Sequence, residues 1–313
     1  MVGSLVYSVL GAGGFIGRNL TRRLSRLGDP VHEFTRQEPF LRDGRLHPAV
    51  LASDVIFYVA TRISPAVAER DPLRVAEENA DFRSFVDGLR DCGHRPLVVL
   101  AGSGGTVYEP GEDPPYRESS PTRANAAYSA AKLFQEAELL ASRRWTTPVV
   151  LRLGNVYGPG QRTGAGYGVI AHWMETVLAG ESLHLLGDPG TCRDYLHVHD
   201  VVDAMLAVVP QAARVRGAGE PLILNIASGE PTSLAQVRDG LESAVGRPLE
   251  VHHSAPRAFD RRDVWLDVSL AERELGWRPR IPLSLGLTAT WHDRLSRHTP
   301  ADGGALAAVQ GLR

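Results

Sequence analysis

Apolar residues along this chain fall in short unbroken runs separated by amphipathic stretches. Residues 4–10 (Ser-Leu-Val-Tyr-Ser-Val-Leu) read as a buried strand. Gly11 to Gly17 make a turn, and Arg18 to Leu27 carry a helical pattern. Val31 to Thr35 predict a second strand, and Asp54 to Val59 a third. A helix is expected near residues 72–91, a strand over Pro96–Leu100, a long helix over Tyr128–Arg143 and a strand over Pro148–Arg152. Strands that lack polar alternation and are followed by helices belong to a parallel sheet covered on both faces. The expected fold class is α/β, a Rossmann-type doubly wound parallel sheet.

The texture changes after Gly158, where Pro159-Gly160 and a glycine-rich stretch to Gly168 suggest a loop. A helix over Val169–Ala179 and short strands follow, yet Pro221 to Ala227 reads as one more buried strand. A smaller α/β lobe is therefore expected to interleave with the first. The expected domains are 1–165, completed by about 196–228, and a second lobe from 166–195 and 229–298. The small and polar residues 299–313 are expected to form a mobile tail.

Composition narrows the function classes. The 313 residues carry a net charge of −2, with basic residues dispersed, so no footprint for nucleic acid or an anionic membrane is present. No apolar run reaches membrane-spanning length, and the N-terminus lacks the basic segment of a signal peptide. Two cysteines, Cys92 and Cys192, stand in no metal or redox spacing and point to a reduced cytoplasmic setting. The 11 histidines form no HExxH pattern, so no metal is expected.

Gly11-Ala-Gly-Gly14-Phe15-Ile16-Gly17 joins the first strand to the first helix. Glycine permits the tight turn and a close approach to a pyrophosphate, which the helix N-terminus then attracts. An ordinary strand-to-helix turn is the plain alternative, but strand, loop and helix here come in the order a dinucleotide site requires. At the end of the second strand an acidic residue would bind a ribose 2′-hydroxyl. This chain has Thr35-Arg36, which suits the 2′-phosphate of NADP(H). An exposed arginine without a ligand is the alternative.

Tyr128 and Lys132 stand at i and i+4 on one helix face. A nearby cation would favour the phenolate, making Tyr128 a candidate general acid or base at a carbinol or ketone. Lys132 could also hold the nicotinamide ribose. Just past a strand end lie Ser103 and Thr106, whose hydroxyls could bond a substrate oxygen or simply their own backbone turn.

With these elements the chain resembles the extended short-chain dehydrogenase/reductase family, and within it the nucleotide-sugar epimerases, dehydratases and 4-ketoreductases. Gly11, Gly14 and Gly17 fit its G-x-x-G-x-x-G loop, and Tyr128 and Lys132 its Y-x-x-x-K. Val59-Ala60-Thr61 resembles the strand end on the nicotinamide side, and Asn79 a structural helix asparagine. The resemblance implies that Asn155, in Leu-Arg-Leu-Gly-Asn-Val-Tyr-Gly-Pro, helps hold a nucleotide diphosphate. It likewise implies that Arg193, in Arg-Asp-Tyr-Leu-His-Val-His-Asp, and Arg257 bind phosphate, and that Asp260 grips a ribose. Glu274-Leu-Gly-Trp277 fits a further family segment. The second lobe would then be substrate-binding, and the protein a homodimer built on the helices near 79–91 and 128–143, with Leu133, Ala137 and Leu140 fitting either that contact or plain packing on their own sheet.

Three departures shape the expected reaction. Gly104 stands where the family usually has a catalytic Ser or Thr, leaving Ser103 or Thr106 as candidates. The stretch from Arg36 to Asp54 is short, which implies a trimmed third strand, with Asp43 a weak candidate for an adenine contact. Thr35-Arg36 replaces the acid common in NAD-retaining epimerases. The favoured reading is an NADP(H)-dependent 4-ketoreductase of a TDP-4-keto-6-deoxyhexose, with Tyr128 as proton donor. The alternative is an NAD(H)-dependent 4-epimerase of the UDP-glucose/UDP-galactose type. A non-catalytic dinucleotide sensor is the third.

Overall fold

The apolar runs form six parallel strands, β1 (Tyr7–Leu10), β2 (Val31–Phe34), β3 (Val55–Tyr58), β4 (Leu97–Ser103), β5 (Thr147–Leu153) and β6 (Leu222–Ile226). The computed structural model describes residues 5–111, 113–163, 168–254 and 263–298. Arg257, Asp260 and the 299–313 segment lie outside them. The strand order is β6-β5-β4-β3-β1-β2, all parallel. Order reverses between β1 and β3, so the crevice at their carboxyl ends is where an open α/β sheet takes its ligand.

Strand side chains alternate between two cores, as a period of two dictates. Val9, Phe57, Val99 and Leu151 face one side, with Leu20 and Leu24 of α1 (Phe15–Leu27). Leu10, Ile56, Val98 and Val150 face the other, with Phe82 and Phe85 of α2 (Pro72–Gly88) and Leu139 of α3 (Ala127–Ala141). Burial on both faces explains why β1, β3, β4 and β5 read as continuous apolar runs, while the edge strand β2 keeps His32 and Glu33 exposed.

The short stretch after β2 holds no third outer strand. A two-strand hairpin, Leu41–Arg42 with Arg45–Leu46, and the one-turn helix Pro48–Leu51 take its place, and Asp43 sits at the hairpin tip with φ 50°. Two element ends differ from expectation. α1 begins at Phe15, three residues early, because Gly14 serves as its N-cap. β4 runs on to Ser103, so that residue ends the strand and does not follow it.

A third core joins α4 (Val169–Leu178), α5 (Leu234–Val245) and α6 (Leu283–His298) through Trp173, Met174, Leu241, Leu287 and Trp291. β6, although it follows this segment's start by some fifty residues of chain, pairs with β5. Leu133 and Leu140 pack on the protein's own cores, and Ala137 is exposed. No described helix is long and apolar enough to cross a membrane.

Candidate active site

The glycine loop leaves β1 with Gly11 at φ +98°, a region that only glycine enters cheaply. A Cβ on Gly11 would lie 2.7 Å from the backbone of Ala60, so the β1 and β3 ends touch through it. Gly14 N–H donates to Gly11 O at 2.9 Å, and a Cβ on Gly14 would sit 3.0 Å from that oxygen. A Cβ on Gly17 would run into the same oxygen and lie 2.8 Å from Ala12 Cα. The first turn of α1, Phe15-Ile16-Gly17, has no side-chain cap and no acidic residue. Its free N–H groups and positive dipole end fit a diphosphate. Arg18 braces the loop, donating to Gly13 O at 2.6 Å and to Gly160 O at 2.9 Å.

Thr35 turns the chain after β2. Its N–H donates to Glu38 O at 2.9 Å, and its hydroxyl accepts from Gln37 N at 3.2 Å. Its methyl lies 3.6 Å from where a Gly13 Cβ would be, so this turn borders the glycine loop. Arg36 is exposed and makes no ion pair among the described residues. Across the crevice, the Thr61 hydroxyl is committed inward, to Glu78 Oε1 at 2.7 Å.

Tyr128 lies in the first turn of α3, half-buried, with Lys132 Nζ 5.8 Å from its ring centre. The expected lowering of its pKa does not occur. Burial pushes the phenol up to about 12, and the Glu78 charge adds to the rise. Lys132 does not offset this, because its ammonium turns to Gln135 Oε1 at 3.1 Å. Tyr128 is therefore a protonated phenol, set up to give a proton rather than to take one first. Burial lowers the affinity of Lys132 for its own proton.

Ser103 Oγ and Thr106 Oγ1 are 2.9 Å apart, the strand end bonded to the one-turn helix Gly104–Val107 that packs on α3. Gly104 between them is buried. A Cβ there would meet Leu266 Cδ1 and lie 3.1 Å from Arg152 O, so a side chain fits only if Leu266 moves. Gly105 is open, and Asn155 Oδ1 is the nearest atom to its missing Cβ, at 3.8 Å.

Asn155 opens a short strand that pairs with Tyr195, and its N–H donates to Asp194 O at 2.7 Å. This brings Asn155 beside Arg193, which bridges to Thr232 and to Val264. Arg193 Nη1 donates to Cys192 O at 2.8 Å. Arg257 and Asp260, the other expected ligands of a nucleotide, fall outside the described residues. The two aspartates of the same stretch are staples. Asp194 is buried and accepts from Ser228 N, Ser228 Oγ, Gly229 N and Leu266 N. Burial raises its carboxyl above the usual range, with those donors opposing. Asp200 accepts from Arg280 N at 3.0 Å and Ile281 N at 3.1 Å, while its carbonyl takes the Trp277 indole N–H at 3.1 Å.

Comparison with known proteins agrees with this geometry. The model of the NAD dependent epimerase/dehydratase family matches residues 7–227. The chain belongs to that family. It is 31% identical over 307 residues to a UDP-glucose 4-epimerase of Mycolicibacterium smegmatis, covering 90% of this chain and 96% of the relative. It is 26% identical over 261 residues to a dTDP-4-dehydro-6-deoxyglucose reductase of Escherichia coli, covering 82% and 80%. The UDP-glucose 4-epimerase of Thermotoga maritima, solved with UDP-glucose, superposes with a TM-score of 0.82 at 25% identity, covering 94% and 99%. The resemblance drawn from the sequence is thus borne out, and with it the Rossmann-like six-stranded sheet and an enzyme using NAD(P).

In this epimerase/dehydratase-family chain the residue-by-residue reading missed Glu78 and Gln135, both buried polar side chains. One sequence signal bears on them. Of the 34 lysines and arginines, Lys132 is the sole lysine. A compact ammonium kept where every other cation is arginine marks a place that a guanidinium does not suit. The glycine loop yields a prediction of its own. Gly17→Ala loses about 1–3 kcal/mol of stability, because the new methyl meets buried backbone. It also weakens dinucleotide binding at least ~10-fold, the loop being displaced from the phosphates. Urea unfolding and calorimetric titration measure the two effects. Unchanged binding would show that the loop does not hold the cofactor.

Proposed function

We propose that this protein reduces the 4-keto group of a nucleotide-linked 4-keto-6-deoxyhexose with NADPH. The observation that carries the choice of NADPH is the Thr35–Arg36 turn. It borders Gly13, offers an exposed guanidinium with no ion pair among the described residues, and has no acid where a 2′-hydroxyl would need one. A bound NADPH would supply hydride to the keto carbon. Tyr128 then gives its phenolic proton to the oxygen that takes up the electron pair of the carbonyl. Solvent then restores the proton to Tyr128, while Lys132, one helical turn on, would hold the nicotinamide ribose. Ser103, bonded to Thr106, is the hydroxyl that would steady the carbonyl oxygen, since Gly104 supplies none. Asn155 and Arg193, brought together beside Asp194, would hold the diphosphate, with Arg257 and Asp260 as further proposed contacts.

The second reading is a nucleotide-sugar 4-epimerase that retains NAD(H). Similarity to the Mycolicibacterium smegmatis UDP-glucose 4-epimerase over 90% of the chain favours it. Binding separates the two. Calorimetric titration with NADPH, NADH, NADP+ and NAD+ is expected to show preference for the phosphorylated forms. Arg36→Ala is expected to weaken NADPH ~10- to 100-fold and leave NADH unchanged, the loss of one charge-assisted contact. Preference for NAD+, or NAD found bound after purification, would select the epimerase.

A further inference from the structure

We propose that Glu78 and Gln135 form a buried relay that holds the Lys132 ammonium in place and ties it to the Thr61–Arg62 segment across the cofactor crevice. The proposal deepens the reading of Lys132 as part of the active site and rests on it.

The relay is continuous and dry. Lys132 Nζ donates to Gln135 Oε1 at 3.1 Å, and Gln135 Nε2 donates to Glu78 Oε1 at 3.3 Å. Glu78 also accepts from Thr61 Oγ1 at 2.7 Å and from Arg62 N at 2.5 Å. Lys132, Gln135 and Glu78 are 4%, 0% and 3% exposed, so water does not substitute for these partners. The polarity of the amide is fixed by its ends, because an ammonium needs the oxygen and a carboxylate needs the N–H. Glu78 makes no ion pair at contact distance among the described residues. Arg62, whose backbone N–H reaches Glu78, pairs its guanidinium with Asp81 at 2.5 Å instead. A buried carboxylate without a contacting cation is costly, and here its charge is directed through one amide at the sole lysine of the chain. Gln135 Oε1 is the one hydrogen-bond acceptor of the Lys132 ammonium among the described residues.

Other charges around Lys132 are already engaged. Glu136, on the same helix, forms a buried pair with Arg152 of β5 at 2.8 Å. Asp81 of α2 holds Arg62, and Glu69 of the helix Pro65–Arg70 accepts from Ala127 N at 3.0 Å. Tyr128, one turn before Lys132, is the remaining titratable neighbour. Glu78 is therefore the charge whose removal changes the field at both Tyr128 and Lys132. Glu78 raises the proton affinity of each.

A sole lysine makes the test direct. Protein labelled with 13Cε-lysine gives one side-chain resonance, and its pH titration reports Lys132 without any need for turnover. Glu78→Gln is expected to move the midpoint to lower pH. Gln135→Met, which keeps the carboxylate and most of the side-chain volume, is expected to move it the same way, because the charged amine loses its acceptor. It also serves if the first variant fails to fold. A purely structural role for either residue would lower stability and leave the midpoint where it was. Unmoved midpoints overturn the proposal, and movement in Glu78→Gln alone overturns the relay in favour of a through-space effect. Failure of the reductase reading shows separately, as absent turnover by the unaltered protein.

Discussion

On the proposed reductase reading, Tyr128→Phe is expected to lower the rate constant for keto-sugar reduction about 10³-fold while changing NADPH affinity by no more than a few-fold. The phenol is the protonated group of the site, held at about 12 by burial and by Glu78, and phenylalanine keeps its ring but gives no proton. Removing a positioned general acid costs roughly 10²–10⁴-fold. Since the effect lies in proton delivery and not in binding, it falls on kcat with KM for NADPH preserved. Stopped-flow decay of NADPH absorbance with a TDP-4-keto-6-deoxyhexose checks it. The high-pH limb of the unaltered enzyme follows loss of that proton, so reduction should persist well above neutral pH and decline only as the phenol ionises. A variant as fast as the unaltered protein would remove Tyr128 from the chemistry.

His197→Asn flattens the loss of stability in acid. His197 is buried, its Nδ1 accepts the His199 N–H, and its Nε2 has no partner among the described residues. Tyr157 and His199 close over the ring, with centroids 5.5 and 4.8 Å away. Burial, with His199 beside it, holds the imidazole down at about 4 against 6.5 in the unfolded chain. Between those values the unfolded state binds a proton that the folded state refuses. Stability is therefore complete above pH 6.5 and falls as pH drops toward 4, by up to about 3 kcal/mol from this group. Asparagine retains an acceptor for His199 N–H and does not titrate. Urea unfolding at pH 7.5, 6, 5 and 4.5 should show the gap between the two proteins closing as pH falls. Parallel stability curves would assign the acid sensitivity to other groups.

The pattern of the chain carried most of the scaffold because a doubly wound sheet imposes itself locally. Its central strands are buried on both faces, so each leaves an apolar run, whereas the edge strand β2 is half exposed, and the turn from β1 into α1 leaves its glycines. The shortness of the Arg36–Asp54 stretch announced the absent third strand, though not the hairpin that replaces it. Tyr128 and Lys132 were legible because one turn of helix brings them together whatever the rest of the fold does. Burial of the sheet against α2 and α3, by contrast, reversed the expected effect on the phenol. The distance from Tyr128 to Lys132 was readable, but the medium between them was not.

The sequence by itself determined the order of elements, the dinucleotide loop and the pairing of a phenol with the only lysine. These rest on near neighbours along the chain, where spacing fixes geometry. Tertiary structure alone decided the rest. Leu266 packs against Gly104 from 162 positions away, and the Ser103 and Thr106 hydroxyls bond to each other on either side of it. Asp194 brings Asn155 beside Arg193, and Glu78 reaches Lys132 through Gln135 from another helix. Contacts of this kind depend on which helix faces pack together and on how dry the packing is, and both are properties of the whole fold rather than of any segment.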